Sequence, residues 1–260
     1  MNAPARLHAK ALSVAFAKTP ILKDLTADIP DGKITVIVGP NACGKSTFLR
    51  SLARLQKPNS GEVLLDGKSI HKQANRSVAQ RLAILPQSPS APEGLTVQDL
   101  VTRGRTPHQS ALRQWSHQDA EAVGRALELT GMAPYANRPL EALSGGQRQR
   151  AWIAMALAQD TEILLLDEPT TYLDLPHQIE LLSLIQSLNQ QRNQTVAMVL
   201  HDINLAARFA DHIIALRAGA IFTTGSPAEV VTRNNMEQVF DLRCQIISDP
   251  VHGTPHVIPE

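Results

Sequence analysis

Aromatic residues are scarce in this chain of 260 residues, at 3% of the sequence, and the formal net charge is only +1. Proteins that bind nucleic acid by base stacking or bulk charge need aromatic platforms or a basic stripe. Neither is present, so nucleic acid is not expected as a partner. Only two cysteines occur, Cys43 and Cys244, which excludes a disulfide framework and favours a reducing compartment.

Long apolar runs are also missing, since no stretch approaches the roughly 20 residues that span a bilayer. No signal peptide is expected at the amino end, so any membrane role must come through a partner. The nine histidines lack metal-ligand spacing, and a protein-bound transition metal is not expected. Hydrophobic residues are plentiful at 43%, enough for one large domain or a core with a subdomain.

Residues 39–46 read GPNACGKS, the pattern of a phosphate-binding loop. The apolar run Ile34–Val38 before it reads as a buried strand, and residues 45–55 after it read as a helix. In such a loop the backbone N–H groups surround an anion, Lys45 reaches the outer phosphates and Ser46 offers a hydroxyl to magnesium. The sequence therefore predicts a nucleoside triphosphate site formed by Gly39, Pro40, Asn41, Ala42, Cys43, Gly44, Lys45, Ser46 and Thr47.

Two residues within this loop have features of their own. Ala42 stands where many such loops have another glycine, which reduces backbone freedom. Cys43 lies just before a helix N-terminus, so we expect its thiol to have a lowered pKa and to react with thiol reagents unless ATP protects it. Cys244 is expected to be an ordinary packed residue.

Strand and helix patterns alternate along most of the chain, which is typical of a parallel α/β sheet. Further strand-like apolar runs occupy residues 82–85, 163–166, 196–200 and 213–216. Residues 88–160 break the alternation with helical patterns such as 119–130, which predicts a helical insertion. The runs Leu7–Phe16 and 62–65 predict an antiparallel β flap.

These patterns predict a division into three parts. Residues 1–87 and 161–225 form a nucleotide-binding α/β core, 88–160 a helical subdomain, and 226–260 a short extension packed on the core. The extension begins with Ser226, Pro227 and Glu229 in a capping-box arrangement. At about 35 residues it is too short to form a regulatory domain of its own.

Asp167 and Glu168 stand side by side directly after the apolar run 163–166. Open α/β sheets bind their ligands at the carboxyl ends of the strands. Asp167 is suited to magnesium, and Glu168 to the general base that activates the attacking water. A solvated acidic turn before Pro169 is the plain alternative.

Two further polar residues follow predicted strands. His201 comes directly after 196–200 and is expected beside the γ-phosphate, where it donates a hydrogen bond as charge develops. Gln87 follows 82–85, and its amide is suited to contacting magnesium and the water from a hinge position. The predicted catalytic set is Glu168, His201 and Gln87, and the predicted magnesium ligands are Ser46, Gln87 and Asp167.

The sequence LSGGQ occupies Leu143, Ser144, Gly145, Gly146 and Gln147. Ser144 is a suitable N-cap for a helix over 147–158, so a second anion-binding helix N-terminus is predicted. Because the chain has one nucleotide loop, we expect this motif to close over a nucleotide held by a second copy, in a head-to-tail dimer with two ATP molecules. A plain capped helix would explain Ser144 but not the paired glycines with Gln147.

Taken in order, GPNACGKS, ILLLDE and LSGGQ resemble the Walker A, Walker B and signature motifs of ATP-binding cassette (ABC) proteins. The resemblance spans residues 7–250 and implies an ATPase with ATP and Mg²⁺ as its cofactors. It further implies that Gln87 is the Q-loop residue, His201 the switch histidine and Asp174 the D-loop aspartate. Phe16 falls where this family stacks an aromatic ring on adenine.

A narrower likeness lies in LDEPTTYLDLPHQIELL, PEGLTVQDLVTRGRTPH and DPVHGTPHVIP. These segments resemble subunits that drive ferric siderophore import, a group close to haem and cobalamin importers. Tyr172 precedes Leu173 and Asp174 where many relatives have serine and alanine, and that departure fits the siderophore group. An ATPase for haem or cobalamin import remains an alternative.

The resemblance implies partners outside the chain: a second copy, polytopic membrane permease subunits and, indirectly, a substrate-binding protein. It places the protein peripherally on the cytoplasmic face of the inner membrane. Residues 89–108 are predicted to grip a permease coupling helix, although Arg103, Arg105 and His108 there could equally be solvated charges. A soluble cassette ATPase acting on nucleic acid or ribosomes is the alternative class, disfavoured by the single cassette and the lack of a basic arm.

Overall fold

The computed structural model describes residues 5–109, 115–171 and 173–260. The strands are β1 (Leu7–Phe16), β2 (Thr19–Ile29), β3 (Ile34–Val38), β4 (Ser60–Leu65), β5 (Lys68–Ser69), β6 (Leu82–Leu85), β7 (Ile163–Asp167), β8 (Thr195–Val199), β9 (His212–Arg217), β10 (Ala220–Gly225), β11 (Cys244–Ser248) and β12 (Pro255–Pro259). The helices are α1 (Lys45–Leu52), α2 (Asn75–Ala79), α3 (Val97–Arg103), α4 (His117–Leu129), α5 (Gly145–Ala158), α6 (Leu175–Arg192), α7 (Ile203–Phe209), α8 (Pro227–Val230) and α9 (Arg233–Phe240).

The largest sheet has six strands in the order β10-β9-β3-β8-β7-β6. Its strands pair in parallel from β9 to β6, and β10 joins β9 in antiparallel fashion. Strands β3, β7 and β8 are buried at every position, because apolar clusters cover both faces of the sheet. This confirms the predicted mostly parallel α/β sheet and brings the carboxyl ends of β3, β6, β7 and β8 to one edge.

A second, antiparallel sheet has the order β2-β1-β4-β5, which confirms the predicted flap. Strand β2 was not predicted, because its buried residues Leu22, Leu25 and Ile29 do not alternate with exposed ones. The irregular spacing follows from register shifts in its pairing with β1. Ala11 and Asp24, at φ 49° and 50°, mark the distorted positions.

The described part of residues 88–160 contains α3, α4 and α5 and no strand, although Thr96 and Pro139 form an isolated bridge. This agrees with the predicted helical character, while the domain boundaries themselves stay a prediction. Helix α1 ends at Leu52 rather than at the expected residue 55, because Arg54 adopts φ 65° and turns the chain. Leu55, the last residue of the predicted helix, is 60% exposed.

One predicted alternative in the helical region is wrong: Arg105 is not a solvated charge. It is only 6% exposed, its Nε lies 2.8 Å from Asp119 Oδ1, and one guanidinium nitrogen donates to the Ala158 carbonyl at 2.8 Å. Asp119 also completes a capping box with Ser116 at the start of α4. Arg105 therefore joins the segment after α3 to the N-terminus of α4 and the C-terminus of α5.

The predicted capping box at Ser226 and Glu229 is present at the start of α8. Beyond it, α9 and the hairpin β11–β12 were not predicted. The hairpin contacts α7 because the Asn204 side chain accepts from the Val257 N–H at 2.7 Å and donates to the Val257 carbonyl at 3.2 Å. Cys244 is fully buried in the core, as expected.

Candidate functional site

The predicted phosphate-binding loop lies between β3 and α1. Gly39 and Gly44 have φ of 149° and 104°, and a Cβ at either position would lie within 2.7 Å of a neighbouring atom. Helix α1 begins at Lys45, so its first N–H groups and its dipole face the loop. Lys45 is buried, and its ammonium donates to the carbonyls of Gly39 and Pro40 at 2.9 Å each.

Ala42 and Cys43 differ from the sequence expectations. Ala42 adopts the left-handed region at φ 60° despite its Cβ, a conformation that costs non-glycine residues about 1 kcal/mol. The prediction of a lowered Cys43 pKa is wrong. Burial raises the pKa of this thiol above its ordinary value, and the opposing influence of Lys45 is smaller. Cys43 is 6% exposed and its sulfur faces Gly39, so it packs as a core residue.

A cavity of about 260 Å³ opens above the loop. The residues that line it come from the loop, from β2 and from the ends of β7 and β8, and they are Ile21, Asn41, Ala42, Gly44, Lys45, Ser46, Thr47, Glu168 and His201. The structure therefore brings the predicted anion-binding loop, the predicted base and the predicted switch histidine to one cavity. Phe16 lies at the β1–β2 turn, 51% exposed, and is not among the described lining residues.

Glu168 is the centre of a polar cluster. Its Oε2 accepts from Gln87 Nε2 at 2.6 Å, and its Oε1 lies 2.8 Å from His201 Nε2. The Thr171 hydroxyl adds a weaker contact to Oε2 at 3.3 Å. The three residues predicted as the catalytic set thus meet at one carboxylate, although they are distant in sequence.

Asp167 ends β7 and is fully buried. Burial raises the pKa of its carboxyl, while the Ser46 hydroxyl and the Arg50 guanidinium oppose that rise. Arg50 Nε is 3.4 Å from Oδ2, and neither carboxylate oxygen has a hydrogen bond of normal geometry among the described residues. A buried carboxylate with unpartnered oxygens beside a serine hydroxyl fits a hard divalent cation, so Ser46 and Asp167 suit Mg²⁺.

The signature segment lies at the start of α5. Ser144 and Gln147 form a reciprocal capping box, so a plain capped helix does account for Gln147, contrary to the sequence argument. A Cβ on Gly146 would lie 3.1 Å from Leu173 Cδ2, which shows that Leu173 packs against this glycine. Gly145 is exposed, and a Cβ there would meet nothing within 4 Å. The fold of its own chain therefore does not require a glycine at 145.

The structure describes two residues of the D-loop, Leu173 and Asp174. Leu173 is buried, and Asp174 is the exposed N-cap of α6, where its side chain accepts from the His177 N–H. The hydrogen bond from His177 lowers the pKa of the Asp174 carboxyl. Tyr172 lies outside the described residues.

Sequence reasoning missed several residues that contact this site. Arg50 reaches Asp167 from α1, Thr171 supports Glu168, and Gln149 donates from α5 to the Pro169 carbonyl at 3.0 Å. Arg50 lies one helical turn after Ser46, so helical spacing offered a signal for it. For Gln149 no signal was available, because the contact joins two segments that only the tertiary fold brings together.

A glycine-rich loop between a parallel strand and a helix, with an acidic pair after a neighbouring strand, defines a P-loop nucleoside triphosphatase. The sequence model of the ABC transporter family matches residues 22–171. The chain belongs to the ABC transporter family, binds ATP and is an ATPase subunit of this family.

Individual relatives match across nearly the whole chain. The petrobactin import ATP-binding protein FpuD of Bacillus anthracis is 54% identical over 253 residues, 97% of this chain and 93% of FpuD. The ferric enterobactin transport ATP-binding protein FepC of Escherichia coli K12 is 51% identical, covering 98% and 94% of the two chains. A dimeric ATP-binding cassette solved in a post-hydrolysis state with ADP and Pi matches with a TM-score of 0.75 at 28% identity, covering 85% of this chain and 98% of that one.

Among the described residues, no helix combines the length and the hydrophobicity needed to cross a bilayer.

Proposed function

We propose that this chain hydrolyses ATP to drive import of an iron(III)–siderophore complex through separate membrane permease subunits. Glu168 orients and deprotonates the attacking water, and His201 donates to the γ-phosphate as charge develops. Gln87 contacts the same carboxylate from the segment that leads into the helical region. Lys45 and the loop N–H groups bind the β- and γ-phosphates, and Phe16 stacks on adenine.

The observation that carries the proposal is the meeting of Gln87 and His201 at Glu168, on the wall of the cavity above the phosphate loop. A general base must lie within hydrogen-bond reach of the water that it activates, and it needs partners that fix its orientation. Ser46, Asp167 and Gln87 would hold Mg²⁺, which would supply positive charge beside the phosphates.

The signature segment, residues 143–147, acts on the ATP held by a second copy. Gly145 supports this role. A Cβ at this position would meet nothing within 4 Å in the described part of the chain, so the fold of the chain itself does not require glycine here, and the absence of a side chain leaves room for a ligand held by another molecule. Asp174 lies on the exposed side of the same region and faces the partner copy. Two copies thus enclose two ATP molecules, in line with the dimeric form of the solved cassette.

The cargo is inferred from the relatives, which are named for petrobactin and ferric enterobactin transport. The protein acts peripherally on the cytoplasmic face of the inner membrane, bound to polytopic permease subunits that receive cargo from a substrate-binding protein. Residues 89–108 contact a coupling helix of the permease. Arg105 is excluded from that surface because it is buried against Asp119.

Affinity purification of the tagged chain from detergent-solubilised membranes of its host tests the proposal. We expect polytopic permease subunits to co-purify, and we expect uptake of radioiron-labelled siderophore to require the chain while cobalamin uptake does not. Recovery of ribosomes or DNA fragments instead of permeases would replace the transporter function with that of a soluble cassette ATPase. If cobalamin or haem uptake depends on the chain, the proposed cargo is wrong, and the proposed transporter function stands.

A further inference from the structure

Gln149 is a buried polar residue with no part in the chemistry described above. It lies on α5, is 9% exposed, and its side-chain amide donates to the Pro169 carbonyl at 3.0 Å. Pro169 is also buried and directly follows Glu168. The amide of Gln149 therefore fixes the backbone one residue away from the proposed general base.

The backbone at Glu168 needs such support. Glu168 has φ 54°, a left-handed conformation that is unfavourable for a residue with a Cβ, and the following proline restricts it further. Strained conformations of this kind persist only where the surrounding structure holds them. The Thr171 N–H donates to the Glu168 carbonyl at 3.2 Å, and Gln149 holds the next carbonyl along the chain.

Gln149 also connects two functional segments of the same chain. Helix α5 begins at Gly145 in the signature segment, and Gln149 lies just over one turn further on. Leu173 packs against Gly146, so the loop that follows Glu168 contacts α5 at two places. A buried hydrogen bond and an apolar contact therefore connect the start of α5 with the backbone around Glu168.

We propose that Gln149 is a positioning residue for ATP hydrolysis. It holds Glu168 in its strained conformation and at a fixed position relative to the N-terminus of α5, which carries the signature segment. This inference rests on the proposed function of Glu168. Gln149 does not line the cavity above the phosphate loop, and it acts through the Pro169 carbonyl. Its loss is expected to misplace the Glu168 carboxylate while the phosphate loop, on another strand and helix, stays intact.

The test replaces Gln149 by Met, which keeps the length of the side chain and removes the donor. Gln194→Met is the matched control, because Gln194 is 7% exposed and donates to the Thr161 carbonyl at 2.7 Å, near the opposite end of β7. Both full-length variants lose one buried glutamine hydrogen bond, so a merely structural effect appears in both. Steady-state ATP hydrolysis is measured for each variant alone and combined with Glu168→Gln.

We expect Gln149→Met to lower kcat on the order of ten- to a hundredfold, the range for a small misplacement of a reacting group, with a KM for ATP close to that of the parent. Gln194→Met keeps the parental kcat. Adding Gln149→Met to Glu168→Gln lowers the residual rate no further, because the two residues act as one unit.

An unchanged kcat in Gln149→Met, an equal loss in Gln194→Met, or a further loss in the double variant would each overturn the positioning role. The Glu168→Gln variant distinguishes a failure of the proposed function of Glu168 from a failure of the positioning role of Gln149. If it hydrolyses ATP at the parental rate, the proposed function of Glu168 fails. If it is inactive while Gln149→Met is normal, only the present inference fails.

Discussion

At the scale of single residues, the site consists of a buried carboxylate and a nearly buried one that differ in their surroundings. Asp167 is fully buried, and its oxygens have no normal hydrogen bond to any residue that the structure describes, which suits a cation. Glu168 is fixed at both oxygens by Gln87 and His201 at the edge of the cavity, which suits proton transfer to an oriented carboxylate. We propose that these adjacent acidic residues serve separate tasks, since Asp167 is fully buried and Glu168 lines the cavity.

Glu168→Gln keeps the shape of the side chain and removes its basicity. We expect turnover to fall by at least about a hundredfold, the scale of general-base catalysis, while ATP binding is retained. Glu162→Gln is the control, because Glu162 lies just before the other end of β7, exposed and ion-paired with Arg6. Single-turnover hydrolysis and equilibrium ATP binding are the measurements. Parental turnover in Glu168→Gln would remove Glu168 from the chemistry.

The sequence predicted candidate residues that local pattern marks. It did not predict pKa values and contacts that depend on the tertiary fold. The loop 39–46 and the pair Asp167 and Glu168 were found because each stands directly beside an apolar strand. The pKa of Cys43 was predicted in the wrong direction, since position before a helix suggested a reactive thiol while burial dominates. Gln149 was not predicted because its partner, Pro169, is 20 residues away in another element.

At the scale of elements, strands buried on both faces were readily predicted and irregular ones were not. The runs that became β3, β6, β7, β8 and β9 are continuous and apolar. Strand β2 was missed because bulges disturb its alternation, and the hairpin β11–β12 because half of its positions are exposed. The helical character of residues 88–160 was evident from spacing, whereas the ion pair of Arg105 with Asp119 was not.

Arg105→Met tests how that ion pair supports the helical region. Removing one partner of a buried pair leaves the other charge uncompensated, so we expect the free energy of unfolding to fall by about 3 kcal/mol. Arg103→Ala, an exposed arginine two residues earlier, should change it by less than about 0.5 kcal/mol. Urea denaturation of both variants is the measurement, and equal stability of the two would contradict the role of Arg105.

The same pair has a defined pH dependence. Burial alone would raise the pKa of Asp119, but hydrogen bonds from Ser116 and Arg105 outweigh it and lower the pKa to about 2. A carboxyl whose pKa is lower in the folded state stabilises the fold above its ordinary pKa of 3.8. That stabilisation is lost as the pH falls from about 4 toward 2, and the loss should be smaller in Arg105→Met.

At the scale of the whole molecule, one chain carries a phosphate loop with its base and a signature helix that does not line the same cavity. We propose that hydrolysis needs two copies, each completing the site of the other. Gly145 offers a direct way to test this, because a Cβ added at this exposed position meets nothing within 4 Å among the described residues. Gly145→Asp should fold normally and place a negative charge against the phosphates of the partner's ATP.

Complementation between two inactive variants tests the shared sites most directly. Lys45→Ala disables the phosphate loop and Gly145→Asp the signature segment, so each variant alone should hydrolyse almost no ATP. Mixing them forms dimers in which one site of two is intact, and we expect activity to return to about a quarter of the parental value at random pairing. Full activity of Gly145→Asp alone, or no recovery in mixtures proven to contain mixed dimers, would contradict the account.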